Sequence, residues 1–287
     1  YVNQFDARIL IECETNTKSL SQVDPSKQVM RKMAYRGLQE TTFERLGSGA
    51  QRICYTIFPT PAYAQDAEVA LNEFEMMLYR SCFVDQNDPI SAWREEARSQ
   101  EAIVSTFLAG KNEIRMVAPG TELQFSIYGR HFITCAGTIN YPDGEIFTCP
   151  VEDSAEGHVT FPFPVVVEGR EMQGIHLWFE GGRVVRERAE KGQAFLSKVL
   201  DTDEGSRVMG EFAFGTNRGV TRPIGNMLLD EKMAGTAHLA LGHGYSQAGG
   251  VNQSSLHWDL VCDLRQDSAV YADGQMIYEN GRFLIGS

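Results

Sequence analysis

A histidine and an aspartate two residues apart, His257 and Asp259, lie in the apolar segment QSSLHWDLVCDL. Alternate side chains of a β-strand project from the same face, so these two would point together, whereas Trp258 and Leu260 would point the other way. An imidazole and a carboxylate aimed at one point supply half of a cation site. An isolated pair of this kind is more often structural, so its interpretation depends on whether other ligands converge on the same place.

Four further residues of the second half could take part in the same chemistry. They are Glu145 after a Pro-Asp-Gly turn, Glu211 between glycines in GEFAFGTN, His238 in GTAHLALGHGY, and Tyr245 in the glycine-rich exit of that segment. Taken singly, each has an ordinary structural explanation as a solvated carboxylate, a core histidine or a packing tyrosine. Together, two Glu, two His and one Asp supply about the ligands that two divalent cations sharing a bridging carboxylate require. The set predicts a dinuclear hydrolytic centre.

Other features of these segments are less specific. The glycines of GEFAFGTN predict a backbone able to approach a ligand closely. His131 and His176 lie in alternating strands and are predicted to be structural, and His158 lies beside the acidic VEDSAEG loop. His243 could support a neighbouring ligand or line the pocket.

Length and composition exclude several classes of protein. The 287 residues, 43% of them hydrophobic, can bury one large core or two unequal ones. No apolar run approaches the ~20 residues of a membrane helix, and the first residues do not resemble an export signal. A net charge of −12 without a basic cluster makes nucleic acid an unexpected partner. Six single cysteines without a C-x-x-C pair favour reduced thiols and a cytoplasmic protein.

The pattern of elements predicts an α+β fold. Up to about residue 110 it is α/β: a strand DARILIEC, a helix over 24–46, a strand QRICYTIFPTP, a helix at about 66–83, and a helix from Asp88-Pro89 to Gly110. From Glu113 onward, short alternating runs predict strands, with hairpin turns at Gly181-Gly182, Asp273-Gly274 and Asn280-Gly281. We therefore predict an N-terminal α/β domain over 1–110 and a β-rich C-terminal domain over 111–287.

Longer blocks carry a family resemblance. PDGEIFTCPVEDSAEG, DTDEGSRVMGEFAFGTN, LLDEKMAGTAHLALGHGY and SSLHWDLVCDLR resemble successive blocks of the M29 metallo-aminopeptidases, the group of aminopeptidases T and S, and similarity extends through most of the chain. The resemblance implies a C-terminal metallopeptidase domain with two divalent ions, zinc, cobalt or manganese, and a homodimer that encloses the active sites. It also implies that the start of the first domain is missing, because the family is longer there and the chain begins at Tyr1 without an initiator methionine.

Carried over position by position, the family's metal ligands fall on Glu145, Glu211, His238, His257 and Asp259, and its active-site tyrosine falls on Tyr245. The implied activity is hydrolysis of the first peptide bond of peptides with a free N-terminus. Two cations ~3.5–4 Å apart would acidify a bridging water and bind the carbonyl oxygen. Glu145 or Glu211 would be the general base, and we favour Glu145 as base, Glu211 as bridge and Tyr245 as hydrogen-bond donor to the intermediate.

Two alternatives remain. His238, His257 and Asp259 could hold one Fe(II) and give a ring-cleaving dioxygenase for a hydroxypyridine-like substrate, but such an enzyme would not need both glutamates. The chain could also be a non-catalytic relative with a vestigial site.

Overall fold

The chain opens with two short parallel strands, β1 (Ala7–Glu12) and β2 (Arg52–Ile57), joined by helix α1 (Pro25–Gly47). A parallel pair needs a crossover connection, and a helix is the usual one. This computed structural model describes residues 2–167 and 169–284; the outermost residues of the two predicted domains, 1 and 285–287, lie outside the described part. The predicted order of strand, helix and strand is confirmed.

The helix predicted at about 66–83 is present as α3 (Leu71–Ser81), which begins later than predicted. A separate short helix that was not predicted, α2 (Pro61–Asp66), precedes it. The side chain of Thr60 accepts a backbone hydrogen bond from the first turn of α2 and caps its start. Glu68 has a φ of 57°, a left-handed conformation that a continuous helix cannot contain.

The next predicted helix is confirmed as α4 (Pro89–Ile103), continued by a π-helical turn over Val104–Leu108. The Asp88 carboxylate accepts the backbone N–H of Ser91 at 3.0 Å and caps its start. Gly110, with a φ of 73°, follows its end.

After residue 110 the described chain forms two antiparallel sheets. The larger has eight strands in the order β11-β10-β7-β4-β3-β15-β16-β17: β3 (Glu113–Ala118), β4 (Thr121–Ser126), β7 (Glu156–Phe161), β10 (Ile175–Glu180), β11 (Arg183–Arg188), β15 (Ala269–Ala272), β16 (Gln275–Glu279) and β17 (Arg282–Phe283). The smaller has five strands in the order β14-β13-β12-β6-β5: β5 (Ile133–Cys135), β6 (Glu145–Thr148), β12 (Met209–Gly215), β13 (Thr236–Gly242) and β14 (His257–Asp263).

Shorter elements connect these strands. They are the hairpin of β8 (Val165–Val167) with β9 (Arg170–Met172), and helices α5 (Gln193–Leu200) and α6 (Met227–Asp230). The predicted hairpin turns are confirmed: both residues have positive φ at Gly181-Gly182, at Asp273-Gly274 and at Asn280-Gly281. The mixture of helices and sheets confirms the predicted α+β class.

One large core lies between the two sheets. Phe125 from the larger sheet packs its ring 5.0 Å from that of Phe212 in the smaller sheet, and both side chains are buried. The apolar faces of both sheets contribute to this core, so strands β6, β12, β13 and β14 of the smaller sheet are fixed by the side chains they bury there.

A second core joins the N-terminal helices to a later segment. Phe74 and Leu78 of α3 pack with Ile224, Leu228 and Leu229, which lie just before β13. Residues from after position 110 thus complete the core of the first part of the chain. Within the described residues, no helix has the length and apolar character needed to cross a bilayer.

A half-buried hydrogen-bond cluster around Asp203 fixes the segment that enters β14. Its carboxylate accepts bonds of 2.7 Å from the hydroxyl of Ser254 and from both the backbone and the hydroxyl of Ser255. Burial by itself raises the pKa of Asp203, but these hydrogen bonds, with one from Ser206, lower it to about 2. Asp203 therefore holds the chain just before His257.

We expect Asp203→Ala to lower the free energy of unfolding by about 2–3 kcal/mol at pH 7, measured by urea denaturation, because charged hydrogen bonds are lost. A carboxyl group whose pKa is lowered in the folded state stabilises the fold at pH values above its unfolded-state pKa. This stabilisation is lost as the pH falls through its folded-state pKa. The difference from wild type should therefore narrow below about pH 4. Asp201→Ala is the control, since that carboxylate is 63% exposed in its ion pair with Arg207. Equal losses in the two variants would contradict this role.

Candidate metal centre

Four neighbouring strands of the smaller sheet carry the five predicted ligands on one face. Residues directly opposite each other on antiparallel strands share a face. The pairs that bring the ligands together are Gly215 with Glu145, Ala213 with His238, Glu211 with Ala240, Ala240 with Asp259, and Gly242 with His257. The intervening residues of the same strands point into the main core, so the ligands stand on a rigid surface.

The predicted alternation around His257 and Asp259 is confirmed. Nε2 of His257 lies 3.6 Å from Oδ2 of Asp259. Trp258 and Leu260 are buried in the core on the opposite face. The period of two residues along β14 therefore aims the imidazole and the carboxylate at one place.

A first group of ligand atoms forms around His238. Its Nε2 lies 3.1 Å from Oε2 of Glu145 and 3.4 Å from Oε1 of Glu211. All three side chains are buried. Their ligand atoms lie within 4.8 Å of one another, a spacing that one cation could span.

A second group uses the other oxygen of the same glutamate. Oε2 of Glu211 lies 3.4 Å from Nε2 of His257, and Asp259 completes the group. Glu211 thus presents one carboxylate oxygen to each of the two imidazoles. This is the arrangement expected of a carboxylate that bridges two cations.

A third group contains Glu231, which was not among the predicted ligands. Its carboxylate lies within 4.8 Å of ligand atoms of His238 and Asp259. Glu231 follows helix α6 on a turn, so strand periodicity could not reveal it. The available signal was a run of three charged residues, Asp230 to Lys232, in the otherwise apolar segment leading to β13.

Two residues after β13 complete the surroundings of His257. Nδ1 of its ring lies 2.9 Å from the carbonyl oxygen of His243; because a carbonyl only accepts, Nδ1 carries the hydrogen and Nε2 is left for a cation. His243 therefore acts on its neighbour through its backbone. The hydroxyl of Tyr245 lies 3.5 Å from Nε2 of His257, and its ring packs 5.6 Å from that of Phe147.

The close backbone approach predicted for GEFAFGTN exists, but not toward a ligand, so that prediction is wrong. A side chain on Gly215 would meet the carbonyl oxygen of Met233 at 2.1 Å. Asn217 donates to the carbonyl oxygens of Asp143 at 2.6 Å and Ser81 at 2.9 Å. This loop braces the turn before Glu145 against the end of α3.

Three histidines lie elsewhere. Nδ1 of His176 lies 2.9 Å from the hydroxyl of Thr160 in the larger sheet. His158 lies in the same sheet, and the backbone N–H of His131 donates to Ala248. Among the described residues, none of these three belongs to a group of converging ligand atoms.

A cavity of about 540 Å³ opens beside the candidate ligands. Tyr245, Glu231 and Asp259 lie on one side of it. Glu12 and Tyr63, from the N-terminal elements, line it as well, and the hydroxyl of Tyr63 donates to Glu12 at 3.2 Å. This space gives access to the candidate ligands.

The electrostatics of the site favour cations. Burial lowers the pKa of His238, but hydrogen bonds that its ring N–H donates to Glu145 and Glu211, with the field of the carboxylates, raise it well above its usual value. The pKa of His257 is raised in the same way by Asp259 and Glu211, against the effect of burial. A field that attracts protons to two imidazoles also attracts metal ions, and imidazole nitrogens with carboxylate oxygens suit zinc, cobalt or manganese. The residues present therefore fit divalent metal ions.

Comparison with known proteins agrees with this chemistry. A family model described as thermophilic metalloprotease (M29) matches residues 1–283. The chain is 31% identical over 279 residues to Aminopeptidase 2 of Geobacillus stearothermophilus, a match covering 82% of this chain and 66% of that relative. The chain thus spans slightly less than two thirds of the relative's length.

Two solved structures are similar in fold. Wild-type AmpT from Thermus thermophilus has a TM-score of 0.83 and 25% identity, over 99% of this chain and 78% of that one. The 2,5-dihydroxypyridine dioxygenase of Pseudomonas putida KT2440 has a TM-score of 0.60 and 15% identity, over 88% of this chain and 77% of that one. The second likeness concerns the fold alone.

We expect Glu211→Gln to weaken binding of both cations by at least ~10-fold, because a bridging carboxylate contacts both positions. Metal content after dialysis against zinc, measured by mass spectrometry, checks this. Glu122→Gln makes the same chemical change at an exposed ion pair with Arg115 and should leave the metal content unchanged. Full zinc occupancy in the Glu211 variant would show that this carboxylate is not the bridge.

Proposed function

The chain belongs to the M29 family of thermophilic metalloproteases, and from that premise we propose that it is a metal-dependent aminopeptidase. It would hydrolyse the first peptide bond of peptides with a free N-terminus, using two divalent ions per chain. The observation that carries this proposal is the position of Glu211, whose two oxygens each lie 3.4 Å from a different imidazole. A carboxylate placed between two nitrogen ligands supports a site for two cations rather than one.

Five ligands support that pair of positions: Glu145, Glu211, His238, His257 and Asp259, with Glu231 as a sixth candidate. Bound divalent cations would polarise a peptide carbonyl and lower the pKa of a water molecule toward neutrality. Zinc, cobalt and manganese all suit these ligands.

The chain's own residues would handle the proton and the carbonyl. We assign proton transfer to Glu145, because its Oε2 faces His238 while its Oε1 contacts Lys232, so one oxygen is held and the other is presented to the site. Glu211 is assigned the bridging position. The Tyr245 hydroxyl, beside His257 and lining the cavity, would donate a hydrogen bond to the oxygen that gains charge during attack.

The cavity supports recognition of a free amino terminus. Its lining includes five carboxylates, listed here in chain order: Glu12, Glu14, Asp66, Glu231 and Asp259. An α-ammonium group carries a positive charge that this lining would attract, and holding it there fixes the first peptide bond beside the ligands. The substrate would therefore be cut one residue from its end.

We expect N-acetylation to lower kcat/KM for leucine p-nitroanilide by about 100-fold or more, because the acetyl group removes the charge that the carboxylates bind. Rates for the free and acetylated substrates, measured with the same metal-loaded protein, check this. Glu211→Gln is the control for contaminating activity and should be inactive on both. Similar values of kcat/KM, or internal fragments of a long peptide by mass spectrometry, would show that the substrate is misassigned.

One alternative function is a dioxygenase, favoured by the fold it shares with the pyridine-cleaving enzyme. It would need His238, His257 and Asp259 around one iron. In the described part of the chain, no group of ligand atoms within 4.8 Å contains both histidines. This geometry favours the hydrolase.

Two outcomes would favour other functions. Iron-dependent loss of 2,5-dihydroxypyridine absorbance would favour the dioxygenase, and a chain that binds no metal would favour the non-catalytic relative with a vestigial site.

We also propose a homodimer in the cytoplasm. The family resemblance carries the dimer, and the six unpaired cysteines support a reducing compartment. We expect light scattering to give twice the mass of the 287-residue chain. An active protein with the mass of one chain would overturn the dimer.

A further inference from the structure

A buried lysine, Lys232, contacts the candidate ligand Glu145 but is assigned no step of the chemistry proposed above. Its side chain is 1% exposed. Nζ lies 2.7 Å from Oε1 of Glu145, 2.8 Å from Oε1 of Glu231 and 3.7 Å from Oδ1 of Asp143. Burying an ammonium is costly unless it is paired, and here three carboxylates surround it.

The backbone of Lys232 is held at both of its polar groups. Its N–H donates to the carbonyl oxygen of Leu229 at 3.0 Å, and its carbonyl accepts from the backbone of Asn217 at 2.9 Å. The first bond ties the lysine to α6, and the second ties it to the loop after β12. The backbone of Lys232 is therefore fixed between α6 and the loop after β12.

Lys232 contacts one carboxylate oxygen of each of two glutamates. In Glu145, Oε1 contacts the ammonium while Oε2 faces His238 at 3.1 Å. In Glu231, Oε1 also contacts the ammonium. These two glutamates belong to two groups of ligand atoms that share His238, one group with Glu211 and the other with Asp259. A single side chain thus restrains carboxylates of both groups.

Charge points the same way. Five carboxylates lie close together here, those of Asp143, Glu145, Glu211, Glu231 and Asp259, and the ammonium of Lys232 offsets part of their negative charge. Lys232 also stands beside Asp143 and Glu145 of a further group with Cys135, where its ammonium supplies the positive charge.

We propose that Lys232 is a positioning residue: its ammonium restrains Glu145 and Glu231, each by one oxygen. This inference rests on the metal-dependent function proposed above. Lys232 touches neither the substrate nor the reacting atoms in this assignment, and it acts through the two glutamates.

The test is binding of Co²⁺ to metal-free protein, followed by calorimetry and by the visible absorption of bound cobalt. Lys232→Met keeps the length of the side chain without its charge, and we expect Co²⁺ affinity to fall by about 10- to 100-fold, the usual effect of losing a group that orients metal ligands. Lys191→Met is the matched control, because Lys191 forms an exposed ion pair with Glu171. It should bind Co²⁺ as the wild type does.

Two further variants keep the test decisive if the Lys232→Met protein does not fold. Lys232→Gln keeps hydrogen-bond donors without the charge and should bind Co²⁺ weakly. Lys232→Arg keeps the charge and should recover much of the affinity. Wild-type affinity in the Met or Gln variant, or a lowered Tm without any change in affinity, would overturn the proposal. A wild-type chain that binds fewer than two Co²⁺ would instead overturn the dinuclear function itself, whatever Lys232 does.

Discussion

Several carboxylates lie close together in the interior of this protein, and their mutual repulsion has to be offset. Glu145, Glu211 and Glu231 are all buried, and Asp259 lies beside them, close to two imidazoles. Like charges at such distances in a low-dielectric interior cannot all remain ionised without compensating positive charge. Lys232 supplies part of it, and divalent cations would supply the rest. The fold holds these groups together despite their repulsion.

Rigidity comes from the smaller sheet and its supports. The main core fixes the strands from one face. Hydrogen bonds to Asp203 fix the segment before β14, and those of Asn217 fix the loop after β12. Asn217 also contacts the end of α3, which links the N-terminal helices to the turn before Glu145. Tyr63 and Asp66 of α2 also line the cavity. The candidate site and the cavity beside it therefore depend on both parts of the chain.

Features with a local period could be predicted from the sequence. The alternation along β14 and the hairpin turns follow from residue types within a few positions. Glu231 could not be found in this way, because a turn has no period and its proximity to His238 arises from how α6 packs. The break between α2 and α3 depends on the left-handed backbone at Glu68, and glutamate is not a residue type that predicts this conformation. The close approach at Gly215 was predicted, but its partner, Met233, is distant in the chain. The five predicted ligands meet because of the register of four strands. The local pattern cannot predict that register, and the five residues were selected with the help of the family resemblance.

The central claim is that Glu211 lies between two cations. X-ray absorption spectroscopy of the cobalt-loaded protein tests it most directly, because the extended fine structure reports a second metal as a scatterer. The account predicts a metal–metal distance of about 3.5–4 Å, with a first coordination sphere of nitrogen and oxygen. A spectrum with nitrogen and oxygen neighbours and no metal scatterer, in protein carrying its full complement of cobalt, would contradict it.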